Sequence, residues 1–138
     1  MARESNKIHV EVVTPERRVL AQDVDEVILP GAQGSFGVLP GHTPMLAALG
    51  PGVAIIREGS RKDVLVISGG FAEVGPDQVT VLAETCERPA EIDRDRARRK
   101  VDELRGRLGE SLSPEDAESL RRRLLKQQAR VDATERAS

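Results

Sequence analysis

The chain is nearly without aromatic residues: Phe36 and Phe71 stand alone in 138 residues, with no Trp and no Tyr. That scarcity argues against a base-stacking nucleic-acid surface and leaves the core to Val, Ile, Leu and Ala. A single cysteine, Cys86, excludes an intrachain disulfide and a cysteine-built zinc site, and suits a reducing compartment. No apolar run approaches the roughly 18 residues that a membrane helix needs, and Met1 to Lys7 holds no hydrophobic signal core. The expectation is a soluble chain that keeps its N-terminus and meets a membrane only through a partner. A net charge of −2 offers no global field for DNA or an anionic bilayer. Catalytic sets are missing as well. No Ser, His and Asp arrangement, paired carboxylates or activated cysteine can be assembled, and His9 and His42 lack ligand spacing, so neither catalytic residues nor a metal are expected.

What is present divides near Arg88. Residues 1–89 hold ten of the twelve glycines and seven of the eight prolines, and carry −4, while the remainder carries +2. The expected boundary places one domain at 1–88 and a second at 89–138. In the first, Ile8, Val10 and Val12 alternate with polar residues, the period of a half-buried strand. Short strands are expected to follow at 17–21, 24–29, 35–39, 45–49, 52–57, 64–68, 70–74 and 78–84. Turn signals at Glu58-Gly-Ser-Arg61 and Gly75-Pro-Asp-Gln78 join them as hairpins. The spacing predicts an all-β, antiparallel β-sandwich.

The densest punctuation runs from Leu29 to Pro44, where Gly31, Gly34, Gly37 and Gly41 alternate with Pro30, Pro40 and Pro44. Glycine permits φ > 0 and proline fixes φ, so this is a shaped connection, expected to carry Phe36, Val38 and Leu39 inward. Gly69-Gly70 suits a bulge or bend between sheets. No Gly-Lys-Ser/Thr follows, so it does not read as a phosphate loop.

The second domain reads as an α-helical hairpin. Pro89 marks a helix start, and Ile92, Ala97, Val101, Leu104 and Leu108 recur until Gly106 and Gly109 end the run. Ser113 then caps a second helix opened by Pro114, with Ala117, Leu120, Leu124 and Val131 on one face. Each stripe buries four or five side chains at about 1.5–3 kcal/mol apiece, against ordering at about 1.5 kcal/mol per residue, so the hairpin is marginal alone. Asp93 and Arg96, three apart, form either a surface pair at a helix start or the beginning of a nucleotide site, with charge from Arg121, Arg122 and Arg123. The basic run Arg121 to Lys126 follows acidic residues and has no aromatic company, which favours an acidic partner segment over nucleic acid.

Three motifs together resemble the epsilon subunit family of F-type ATP synthases: Gly37-Val-Leu-Pro-Gly-His-Thr-Pro44, Ser68-Gly-Gly-Phe-Ala-Glu-Val74 with Val79-Thr-Val-Leu-Ala83, and Ile92-Asp-Arg-Asp-Arg-Ala97. The resemblance implies a noncatalytic central-stalk subunit that couples proton flow to ATP synthesis and restrains ATP hydrolysis. It would sit peripherally on the cytoplasmic face of the cell membrane as part of the synthase. It implies a sandwich bound to the gamma subunit and resting on the c ring, with the loop of Ser35, Gly37 and His42 at that interface. The hairpin would lie compact or extend toward the catalytic beta and alpha subunits. No cofactor is obligatory, but some relatives bind regulatory ATP through the Ile-Asp-x-x-Arg-Ala motif. Here that implies Glu87, Asp93 and Arg96, with Arg123 from the second helix. Two departures stand out: Ser35 replaces a carboxylate found in some relatives, and Glu103 replaces an arginine of ATP-binding members. The rival reading is a free-standing ATP-sensing regulator built on Asp93 and Arg96.

Overall fold

The computed structural model describes residues 6–137. Ten strands come first: β1 (Ile8–Val13), β2 (Arg18–Val24), β3 (Glu26–Gly31), β4 (Gly34–Val38), β5 (Met45–Leu49), β6 (Gly52–Glu58), β7 (Arg61–Ile67), β8 (Gly70–Val74), β9 (Gln78–Ala83) and β10 (Cys86–Glu87). A 3-10 turn (Pro89–Glu91) leads to α1 (Arg94–Leu108) and α2 (Pro114–Ala137). The strands form one continuous ladder, β10-β7-β6-β3-β5-β8-β9-β1-β2, with β4 on the side of β3. β3 and β5 meet through a single pair, Gly31 with Leu49, and there the ladder folds over into two layers. Ile56, Leu65 and Ile67 from one layer and Val10, Val79 and Val81 from the other close into one core. This is the sandwich that alternation implied.

One pairing departs from the all-antiparallel expectation. β1 runs parallel to β9, with Val10 opposite Val79 and Val12 opposite Val81. Turn signals orient only neighbouring strands, and these two are far apart in sequence. The bend at Gly69-Gly70 is present: β7 pairs with β6 and β10, whereas β8 pairs with β5 and β9, so the chain changes layers there. Gly70 has φ 131°, and a Cβ on it would lie 2.0 Å from the Leu82 carbonyl oxygen, so only glycine suits the crossing. The Leu29–Pro44 segment forms the β3–β4 hairpin and a loop. It buries Val38 and half-buries Phe36, but Leu39, expected inside, is 54% exposed because the strand ends before it.

The first helix also begins later than Pro89 suggests. Pro89 opens only the 3-10 turn, in which the Glu91 carboxylate accepts the Arg88 N–H at 2.9 Å, and Ile92 then returns to extended geometry. Asp93 provides the stronger start, accepting the Arg96 N–H on Oδ1 at 3.1 Å. Ser113 caps α2 as expected, its Oγ accepting from the Asp116 N–H at 3.1 Å. Val101 and Leu104 of α1 pack on Leu120 and Leu124 of α2. α2 in turn lies on the outer face of β6 and β7, where Ala129 and Ala133 meet Val64 and Val66. That cover explains why Val64-Leu-Val-Ile67 is buried on both faces of its strand.

Candidate functional site

The sandwich, the 3-10 turn and the two helices converge on an open cleft of about 330 Å3. Its floor comes from β10 and the linker, which supply Glu87, Ile92 and Asp93; α1 contributes Arg96 and Lys100, and α2 contributes Gln127 and Arg130. Arg96 and Lys100 are four apart and therefore share a face of α1. Three of the four residues that sequence reasoning attached to ATP thus meet in one place. The fourth does not. Arg123 lies farther along α2 beside Glu115, Glu118, Ser119 and Arg122, lining a separate depression.

Arg130 takes the α2 position in this cleft. Its guanidinium forms a two-pronged pair with Glu87, Nε to Oε1 at 2.8 Å and one terminal nitrogen to Oε2 at 2.8 Å, while the other donates to the Gln127 side-chain oxygen at 3.3 Å. Both side chains of the ion pair are about three-quarters buried, and the planar fork fixes their relative orientation. Sequence reasoning passed over Arg130 because it stands alone between Ala129 and Val131, outside the basic run. Its spacing was informative: Ala129 and Ala133 bracket it on the sheet-facing side of α2. Asp93 serves the backbone of α1, so its contact with Arg96 is a helix cap through the amide. Arg94 and Arg98 of α1 both reach Glu135 near the end of α2, at 3.3 and 3.6 Å, and pin the two helices together at this end.

A second surface begins on β4, which pairs with the edge of β3 away from β6. Ser35 and Gly37 are exposed on β4, and His42 in the following loop donates from Nδ1 to the Thr43 carbonyl at 2.7 Å. Around the corner, Leu46 (70% exposed), Phe71 and Leu82 stand on one outward face of β5, β8 and β9, since Phe71 is in register with both Ala48 and Leu82. This apolar patch was not anticipated, although Val81-Leu82-Ala83 is apolar on both faces of its strand, a legible sign of a second covered side. Elsewhere, His9 sits between Asp23 (2.9 Å) and Glu11 (3.5 Å). Among the described residues no group of three His, Cys, Asp or Glu side chains is placed to hold a metal. Cys86 is buried, and that burial pushes its thiol up to about 11, so it is an inert core group. No helix among the described residues is long and apolar enough to cross a membrane.

Comparison with known proteins agrees with this architecture. The family model described as "ATP synthase, Delta/Epsilon chain, beta-sandwich domain" matches residues 7–89. The ATP synthase epsilon chain of Myxococcus xanthus is 46% identical over 111 residues, spanning 80% of this chain and 81% of the relative. That of Halalkalibacterium halodurans is 46% identical over 101 residues, 73% of this chain and 76% of the relative. Among solved structures, a chain of the Euglena gracilis mitochondrial ATP synthase (OSCP/F1/c-ring) superposes with a TM-score of 0.80 at 24% identity, covering 93% of this chain and 81% of that one. A chain of the Tetrahymena thermophila central stalk/c-ring assembly gives 0.65 at 18% identity, covering 96% and 99%. At those identities the structures attest the fold, and the relatives attest the lineage. The chain belongs to the ATP synthase epsilon chain family and is a noncatalytic subunit of that complex.

Proposed function

We propose that the sandwich seats this subunit on gamma and the c ring, and that the helical hairpin is the movable part that restrains ATP hydrolysis. The observation that carries this reading is the unequal attachment of the hairpin. α1 and α2 grip each other through leucines and valine, but α2 meets the sandwich through Ala129 and Ala133 against Val64 and Val66, with Val53 and Ile92 partly buried beside them, and through the Glu87–Arg130 pair. Such a seat buries little apolar area, roughly one methyl per alanine, and is easily exchanged for another surface. The uncovered patch of Leu46, Phe71 and Leu82 supports a gamma contact, and the exposed Ser35–His42 segment supports one with the ring. Released, the basic residues Arg121–Arg123 would reach acidic segments of the catalytic beta and alpha subunits. The membrane association then belongs to the complex, on its cytoplasmic face.

ATP is the regulatory ligand of this reading. The grouping of Arg96, Lys100 and Arg130 in one cleft supports contacts to phosphates, and Asp93 beside them supports one to a base edge, so a bound nucleotide would join α1, α2 and the linker and favour the compact form. Two measurements test the proposal. Deleting residues 90–138 should raise the ATPase rate of the reconstituted catalytic complex yet leave gamma capture intact; loss of gamma capture would refute the division of labour. Calorimetry with ATP should show binding that weakens in Asp93→Ala. Tight ATP binding by a chain with no affinity for gamma would favour the free-standing sensor instead.

A further inference from the structure

We propose that the free edge of β4 is a strand-addition site, taking an extended, uncharged segment of a neighbouring chain through main-chain hydrogen bonds. The proposal rests on the reading that Ser35 to His42 meets a partner, and specifies the chemistry of that contact. The β3–β4 hairpin is closed at Gly31 and Gly34, so alternation makes Leu29 with Phe36 and Val27 with Val38 the hydrogen-bonded pairs. Ser35 and Gly37 then stand opposite Pro30 and Ile28 with their N–H and C=O groups turned away from β3. Pro30 confirms the phase, because its carbonyl points to the far side and accepts the Gly50 N–H at 2.9 Å. On their outward side Ser35 and Gly37 have no backbone partner among the described residues, and both are exposed.

The other two ends of the ladder are guarded. β2 carries Arg18 and Asp23, and β10 is two residues long and runs straight into the turn beneath α2. β4, Gly34-Ser-Phe-Gly-Val38, has neither charge nor proline and so lacks the usual protection of an edge. Gly34 and Gly37, two of its five residues, carry no side chain to obstruct an incoming backbone. Beside it Phe36 and Met45 to Ala48 line an open groove of about 340 Å3, able to receive alternate apolar side chains of an added strand. The charge beside this strip, the Glu26 carboxylate next to Gly37, is already paired with Arg57 at 3.3 Å, so the occupant is recognised by its extended backbone and small apolar residues.

Gly37 allows a clean test. Its φ is not positive and a Cβ there would meet only the Glu26 carboxylate at an ordinary 3.7 Å, so alanine is accommodated, and proline differs from it in removing the outward donor. The full chain is added to an ATP synthase rotor assembly stripped of this subunit. Amide exchange of the unsubstituted chain should slow at least about a hundredfold at Ser35 and Gly37 on assembly. Gly37→Pro should bind about tenfold more weakly than Gly37→Ala, the effect of leaving a buried acceptor unmatched. If the chain assembles but both amides still exchange as in the free protein, or the two variants bind alike, strand addition is overturned while the subunit reading stands. Failure of the unsubstituted chain to bind overturns both. Protection that appears in the chain alone on raising its concentration means β4 pairs with a second copy, and also overturns the proposal.

Discussion

Breaking the Glu87–Arg130 pair should release the hairpin without unfolding the sandwich. Its side chains are 24% and 27% exposed, between the surface pairs worth below about 1 kcal/mol and the buried pairs whose disruption removes about 3–5 kcal/mol. Two short, parallel charge-assisted bonds place the coupling at about 1–2 kcal/mol, a five- to thirtyfold change in the docked-to-undocked ratio. The perturbation is a double-mutant cycle of Glu87→Gln and Arg130→Gln. Docking is read as the distance between spin labels at Asp77 and Arg122, both exposed, while thermal unfolding followed at strand wavelengths reports on the core. Each single variant should populate longer distances, and the double variant should be less affected than the sum. A coupling within about 0.3 kcal/mol of zero, the ordinary scatter of independent sites, would refute the reasoning.

Gly70→Ala should lower stability by about 3 kcal/mol or more, seen as a lower thermal midpoint, because its Cβ would lie 2.0 Å from a carbonyl oxygen at a φ of 131°; a midpoint within a degree of the parent would contradict the crossing geometry. The Cys86 thiol, pushed up by burial to about 11, should resist a thiol reagent at pH 8 until the sandwich opens, and labelling as fast as a free thiol would show that the core is not closed there. Asp25 is held below its ordinary 3.8 by the Lys7 ammonium and the Gly59 N–H. Its stabilising contribution is therefore complete above the unfolded value and disappears as pH falls through the folded one. Asp25→Asn should flatten the acid limb of a stability profile measured by urea unfolding below about pH 4, and an unchanged slope would show that the network carries no linkage.

Strands such as β1, β8 and β9 were legible because they repeat a period of two against one core, and β5 and β8 fall on the expected residues. The parallel β1–β9 pair was not, since orientation between distant strands is decided by packing of the whole ladder. β10 escaped notice because a two-residue strand has no period. In the cleft, Asp93 and Arg96 come from one short motif with Glu87 just before it, whereas Arg130 lines it only after α2 folds back antiparallel to α1. Arg123 failed as a member of the cleft because the hairpin's register, set by Leu120 and Leu124 against Val101 and Leu104, carries it past the opening. The apolar patch was concealed by the habit of assigning each strand a single buried face.

The placement of β1 between β2 and β9 bears on how the chain is made. Val10 cannot find Val79 until the ribosome has delivered β9, so β1, made well before its partner, is among the last strands to be locked in place. Until then its Ile-x-Val-x-Val row is an unsheltered, aggregation-prone ribbon, and high contact order makes its capture slow. Synthesis of this subunit should accordingly depend on chaperone shelter for nascent β1 until β9 arrives.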